Sequence, residues 1–181
     1  GSDKRIRYDS MSSAHVALAF EGASLNSEFL YPLKIIQTMV GSWDRTSATA
    51  RNAGSKFAID ASSMDLAHNF SSFNTCYQDT GLFGIVFQAD DNKLEDAMFY
   101  TLDNLVRFCH NVGEDELKRA KVQLMANTMK GLDSSAHVAQ EIGSQMLAHG
   151  RRMTHAEIYA RVDALTADDI KATANEIIND E

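Results

Sequence analysis

The chain has 181 residues, and its content of 44% hydrophobic and 23% charged residues is typical of one ordinary globular domain. The formal net charge of −8 argues against a nucleic-acid partner, because phosphate backbones are bound by clustered lysine and arginine. No apolar run approaches the roughly 20 residues that a membrane-spanning helix needs, so no span is predicted.

The sequence shows no internal repeat or linker of low complexity, and residues 3–181 are predicted to form one domain. Gly1 and Ser2 are interpreted as a remnant of cloning. The two cysteines, Cys76 and Cys109, are too few for a disulfide framework. Both are expected to be reduced and buried thiols.

The first part of the chain predicts a strand and then a helix. Residues 15–22 alternate between apolar and small or polar side chains, which is the period of a strand. Apolar residues then recur at helical spacing from Phe29 to Val40, and Gly41 is expected to end this helix. Residues 42–63 keep no period, so they are predicted as an irregular connection with one short helix.

Two extended runs follow, residues 68–77 and 81–89, and Gln78-Asp79-Thr80 between them predicts a hairpin turn. The second run is apolar on both faces, with Leu82 and Val86 opposite Phe83, Ile85 and Phe87, which favours a central strand. The first run is polar on both faces. That polarity is unusual for a core strand.

Helical patterns fill the rest of the chain. The first stripe after Asp91 starts at a possible capping box, Asn92-x-x-Glu95, and includes Leu102. A second helix is predicted from Glu114 to about Leu132. Three more are predicted from the following stripes and caps: Val138, Ile142 and Met146; Thr154 with Ile158, Val162 and Leu165; Thr166 with Ile170, Ala174 and Ile177.

The predicted order is therefore strand, helix, hairpin and helices. This order defines an α+β fold, with a mixed or antiparallel sheet and helices packed on one side. Three strands make a thin sheet for so many helices, and the last helix is followed by no strand. We therefore expect a final strand to be missing from the end of the chain.

The tripeptide Asp79-Thr80-Gly81 has the form that presents a catalytic aspartate in aspartic peptidases. That chemistry needs two such carboxylates, one ionised and one protonated, and the chain has only one triplet. A turn is favoured, in which Asp79 shapes the hairpin. No metal-ligand spacing of histidines and no phosphate-binding loop is found, so no catalytic residue and no metal ligand are predicted.

Four blocks of the sequence carry a family resemblance. The longest, HNFSSFNTCYQDTGLFG at residues 68–84, is the most specific. The others are residues 41–45, 141–147 and 151–152. Together they resemble the C-terminal half of beta subunits of mitochondrial processing peptidases, within the pitrilysin-like family of inverted zinc peptidases. Core proteins of the cytochrome bc1 complex share much of the pattern.

The resemblance implies that zinc and its His-x-x-Glu-His helix belong to an N-terminal half, so this chain is expected to hold no cofactor and to be inactive alone. The implied partners are that N-terminal half, an alpha subunit and basic presequence peptides. Subunits of the bc1 complex are partners in the alternative, structural role. The implied location is the mitochondrial matrix, or the matrix face of the inner membrane.

The resemblance also suggests a reason for the polar strand, which would line the chamber where presequences are cut. The residues expected to contact substrate are His68, Asn69, Ser72, Asn74 and Tyr77. The alternative is that these groups pair within the sheet or cap neighbouring helices. An Arg and a Tyr that hold substrate elsewhere in the family fall on Ala61 and His68 here, so that pair is absent. The third alternative is an unrelated α+β binding module.

Overall fold

The computed structural model describes Lys4, Ile6 and residues 11–47 and 54–179. These residues form a four-stranded antiparallel sheet and seven α-helices. The strands are β1 (Ala14–Gly22), β2 (Ser42–Asp44), β3 (Asn69–Cys76) and β4 (Gly81–Ala89). The helices are α1 (Leu30–Val40), α2 (Lys56–Ser63), α3 (Leu94–His110), α4 (Glu114–Lys130), α5 (Ser135–His149), α6 (His155–Ala164) and α7 (Ala167–Ile178). The predicted cloning remnant at residues 1–2 lies outside the described part.

The sheet has the order β1-β4-β3-β2, so the predicted central position of β4 is confirmed. β4 pairs with β1 from Gly81 to Ala89 and with β3 from Gly81 to Gln88. β2 was not predicted. It has only three residues, too few to show alternation, and its buried residue Trp43 packs against Phe70, with ring centroids 6.4 Å apart.

The helices cover one face of the sheet, as the predicted α+β fold requires. Phe83, Ile85 and Phe87 of β4 are at most 1% exposed on that face, and α1 and α7 pack against the sheet there. α3 packs against α7, and α4 packs against α1. The hydrophobic core therefore lies between one face of the sheet and the layer of helices.

Two predicted features of the helices are wrong. The capping box at Asn92 is not formed: a 3₁₀ turn occupies Asp91–Lys93, and no side chain caps α3. Leu102 of the predicted stripe is 40% exposed, whereas Thr101 and Asn104 are buried, and their side chains donate hydrogen bonds to carbonyl oxygens of the preceding turn. The predicted caps of α6 and α7 are confirmed.

The turn between β3 and β4 is a hairpin turn, as predicted. The N–H of Tyr77 donates to the carbonyl of Thr80 at 2.8 Å, and the Thr80 hydroxyl donates to Glu21 of β1 at 3.1 Å. Asp79 is exposed, and no hydrogen bond of its side chain is recorded in the described residues. The backbone and Thr80, rather than Asp79, therefore hold the turn.

The start of α6 is held by a carboxylate between two arginines. Arg151 donates two hydrogen bonds to Glu157, at 2.8 and 2.6 Å, and Arg161 donates a third at 3.0 Å. The bonds from Arg151, and then those from Arg161, lower the pKa of Glu157 from 4.5 to about 2. Arg151 belongs to one of the blocks that carry the family resemblance, and this contact gives it a structural role.

Glu157 should make stability depend on pH in the acid range. Because its pKa is lower in the folded state, its contribution is complete above about pH 4.5 and is lost as the pH falls towards 2. The urea concentration at the midpoint of unfolding should fall as the pH is lowered from about 4.5 to 2, and we expect Glu157→Gln to make this fall smaller. Glu176→Gln, at an exposed carboxylate of α7 without a recorded ion pair in the described residues, is the control. If the urea midpoints of the two variants depended equally on pH, the attribution of this pH dependence to Glu157 would be contradicted.

Candidate functional site

The sheet face opposite the helices, called the open face below, is formed by alternate residues of β1, β4 and β3. Cross-strand pairing arranges them in four rows: His15, Gln88 and Asn69; Ala17, Val86 and Ser71; Ala19, Gly84 and Phe73; Glu21, Leu82 and Thr75. No helix covers these rows within the described residues, and most of their side chains are exposed. The face is therefore a surface that another molecule can contact.

The middle of the open face is apolar. Leu82 and Val86 are 43% and 42% exposed. Phe73 lies beside them because Gly84 has no side chain: a Cβ on Gly84 would be only 2.7 Å from Cζ of Phe73. The ring therefore extends over the middle strand, and an apolar strip results that a peptide side chain could cover.

The ends of the open face are polar. At one end the amide of Asn69 donates to Gln88 at 3.2 Å, and Gln88 in turn donates to the hydroxyl of Ser13 at 3.0 Å. At the other end Glu21 accepts the bond from Thr80. A surface of this kind can bind a peptide through apolar contacts and hydrogen bonds.

The substrate-contacting residues predicted from the sequence do not share one face. Asn69 lies on the open face, where its amide is part of the polar row described above. His68 precedes β3 and its ring nitrogen bonds to Asp90 at 2.9 Å. Tyr77 follows the strand in the hairpin turn and is 55% exposed. Contact of these three residues with a substrate stays a prediction.

Ser72 and Asn74 point towards the helices. The hydroxyl of Ser72 donates to the carbonyls of Gln37 and Gly41, at 3.0 and 2.8 Å, and so satisfies the end of α1. The carbonyl oxygen of Asn74 accepts a bond from the Cys76 thiol at 3.4 Å. For Ser72 the geometry supports the alternative that a polar strand residue caps a neighbouring helix.

The apolar part of the open face was missed in the sequence. Leu82 and Val86 were interpreted as one of two apolar faces of a central strand, and the sheet does place β4 centrally. The side chains of the neighbouring strands could have indicated this surface. Ala17, Ala19 and Ser71 pair with β4 on that side; the alanines are too small for a second core, and Ser71 is small and polar.

Both cysteines are free thiols, in agreement with the sequence, but only Cys109 is fully buried. Burial raises the pKa of each thiol. Within the described residues no group of three or more His, Cys, Asp or Glu side chains is placed to hold a metal ion. The described helices also include none with the length and hydropathy to cross a membrane.

These features define an α+β domain with one face packed by helices and one open sheet face. The family model of the peptidase M16 inactive domain matches residues 1–124. The chain therefore belongs to the peptidase M16 family, and the family resemblance of the sequence blocks is confirmed.

Curated relatives match nearly the whole chain. It is 45% identical over 181 residues to the mitochondrial-processing peptidase subunit beta of Blastocladiella emersonii, covering 99% of this chain and 39% of that protein. The Neurospora crassa subunit of the same name is 40% identical and covers 100% of this chain and 38% of the relative. The human subunit is 35% identical and covers 98% of this chain and 36% of its own length. The chain thus spans about two fifths of the length of these relatives.

A solved structure has the same fold. One chain of complex III2 from Candida albicans, in its Inz-5-bound structure, matches with a TM-score of 0.90 and 25% identity over 98% of this chain and 43% of that chain. The relatives' names and this complex imply a mitochondrial location for the chain.

Proposed function

We propose that the chain is the C-terminal, non-zinc-binding domain of a mitochondrial processing peptidase beta subunit. The observation that carries the proposal is the end-to-end similarity to subunits of that name, 45% identical over 181 residues in the first of them. The match to a peptidase domain described as inactive supports a role in positioning substrate rather than in cleaving it.

In this proposal the open face is part of the wall of the chamber in which presequences are cut. Its apolar middle suits the apolar side of an amphipathic presequence, and Asn69 at one end and Tyr77 near the other can donate or accept hydrogen bonds. The net charge of −8 favours basic peptides by Coulomb attraction. Ser72 and Asn74 contribute by supporting the strand from behind.

The zinc ion, the residues that bind it and the attacking water are assigned to an N-terminal half that is not in this chain. That half and an alpha subunit are the proposed protein partners, and the matrix is the proposed compartment. The resemblance of the sequence blocks supports each of these assignments.

A second candidate is a structural subunit of the respiratory complex. The similarity to a chain of complex III2 from Candida albicans, with a TM-score of 0.90, favours it. In that role the same fold would hold neighbouring subunits, with no presequence on the open face. An upstream His-x-x-Glu-His motif would separate the two candidates, because a zinc peptidase needs it and a structural subunit does not.

A chimera tests the proposal directly. The part of the Blastocladiella emersonii beta subunit that matches this chain is replaced by residues 3–181 and the product is purified with its alpha subunit. We expect zinc-dependent cleavage of a presequence peptide by the chimera and none by the 181-residue chain alone. A chimera that assembles but leaves the peptide intact, or cleavage by the chain alone, would count against the proposal.

The role of the open face is tested in the same chimera. Val86→Lys places a cation in the apolar strip, and we expect KM for a basic presequence peptide to rise about three- to tenfold through repulsion and lost apolar contact. Val122→Lys is the matched control, because Val122 is 65% exposed on α4, on the opposite side of the sheet. Equal KM values for both variants would exclude a substrate contact at Val86.

A further inference from the structure

A cavity of about 380 Å³ lies between α1, α4, α5 and the start of α6. It shares no residue with the open face. One of its walls is α5, none of whose residues is fully buried, so that this helix does not close onto the core. The other walls are mainly apolar, with Leu25, Leu30, Leu124, Met153 and Ile158. Pockets for small ligands commonly measure about 300–1,000 Å³, and this one is near the lower end of that range.

One ammonium group lines the cavity without a carboxylate partner. No hydrogen bond or ion pair of Lys34 is recorded among the described residues, and its one contact with an aromatic ring is with Tyr31, 5.7 Å from Nζ to the ring centroid. The carboxylate of Glu141 also lines the cavity, but it accepts a bond from Gln145 at 3.1 Å and lies 3.8 Å from His155. Glu141 is therefore engaged elsewhere.

Within the described part of the chain, Lys34 forms no ion pair that would compensate its ammonium for the loss of water. Burial lowers the pKa of Lys34, and Cys76 is the ionisable group that opposes this shift. Burial also raises the pKa of the Cys76 thiol, so the thiol is neutral near pH 7 and supplies no negative charge. A partly desolvated ammonium without a counter-charge is costly to folding. An ionisable group that is perturbed by burial and lines a cavity is a candidate for a binding site, and an ammonium there attracts an anion.

We propose that this cavity binds a monocarboxylate with an apolar body, whose carboxylate pairs with Nζ of Lys34. The single unpaired ammonium matches one negative charge, and the leucine, methionine and isoleucine walls match an aliphatic chain. A second negative charge on the ligand would face Glu141. The site is separate from the proposed chamber wall and does not depend on the proposed function.

Calorimetric titration of the 181-residue chain with sodium decanoate tests the site, with 1-decanol as the uncharged comparison. We expect decanoate to bind at least tenfold more tightly than decanol. Lys34→Met, which keeps an unbranched side chain one atom shorter but removes the charge, should weaken the binding of decanoate at least tenfold. Lys34→Arg should stay within about threefold of the wild type. Lys118→Met, at an exposed lysine of α4, should change nothing.

A cavity-filling variant, Ala148→Trp, tests the location without a change of charge, because Ala148 lines the cavity from α5. It should also weaken decanoate at least tenfold. Lys34→Met should raise the Tm of the unliganded chain, since it removes the unpaired ammonium, and decanoate should raise the Tm of the wild type but not of this variant. The proposal is overturned if decanoate does not bind or if decanol binds as tightly as decanoate. It is also overturned if Lys34→Met or Ala148→Trp binds decanoate as tightly as the wild type does.

Discussion

Gly84→Ala is expected to lower the free energy of unfolding by at least about 3 kcal/mol. A Cβ at this position would overlap the carbonyl oxygen of Leu18, and it would lie 3.0 Å from Cα of Ala19 and 2.7 Å from Cζ of Phe73. Two of these neighbours are backbone atoms of β1, which is paired with β4 over nine residues and cannot move away without losing hydrogen bonds. Relief of the overlap therefore requires β1 and β4 to separate.

Urea denaturation of Gly84→Ala measures this effect, and Gly143→Ala is a matched control. Nothing lies within 4 Å of a Cβ built on Gly143, which is in the middle of α5. Alanine is favoured over glycine inside a helix, so this control should gain about 0.5–1 kcal/mol. The same substitution is thus expected to have opposite signs at the two sites. A loss below about 1 kcal/mol at Gly84 would show that the strands adjust easily.

Arg107→Met is expected to cost about 2–4 kcal/mol, because it leaves the carboxylate of Glu116 without its partner in a poorly hydrated place. The two side chains are 17% and 14% exposed and form two parallel hydrogen bonds of 2.9 Å each. The guanidinium also lies 4.6 Å from the centroid of the Phe108 ring. The pair of Arg107 with Glu116 joins the end of α3 to the start of α4.

The double variant Arg107→Met with Glu116→Leu separates two contributions to the free energy of unfolding: the stabilisation from the ion pair and the cost of a carboxylate left unpaired. We expect the double variant to be more stable than Arg107→Met alone, because no carboxylate is left unpaired. Arg151→Met breaks an exposed pair, with side chains 53% and 31% exposed, and should have a much smaller effect. A double variant less stable than the single one would mean that apolar side chains cannot fill this space.

Local signals in the sequence were enough for most of the elements. The alternation in β1, the spacing of apolar residues from Phe29 to Val40 and the Thr-x-x-Asp pair at Thr166 predict structures that are observed. Each of these signals depends on residues a few positions apart. β2 was not predicted, because three residues cannot show a period. Its pairing partner, β3, also lies about 27 positions further along the chain.

The candidate site was predicted less well than the fold. The polarity of β3 was recognised, but alternation assigns Ser72 and Asn74 to the opposite side from Asn69, and the position of the helices decides which side is covered. The identity of the open face therefore depended on the packing of α1 and α7 against the sheet. The same holds for Lys34, whose missing counter-charge depends on the side chains that other helices bring near it.

Local spacing and long specific blocks in the sequence were sufficient to predict the α+β class, the hairpin, the caps of α6 and α7 and the membership of the peptidase M16 family. The packing of the helices was needed to show which face of the sheet is open, that the exposed side chain of Asp79 does not hold the turn, and that an unpaired ammonium lines a cavity. The physical reason is that burial and charge pairing are set by residues distant in the sequence, and these meet only when the helices pack on the sheet.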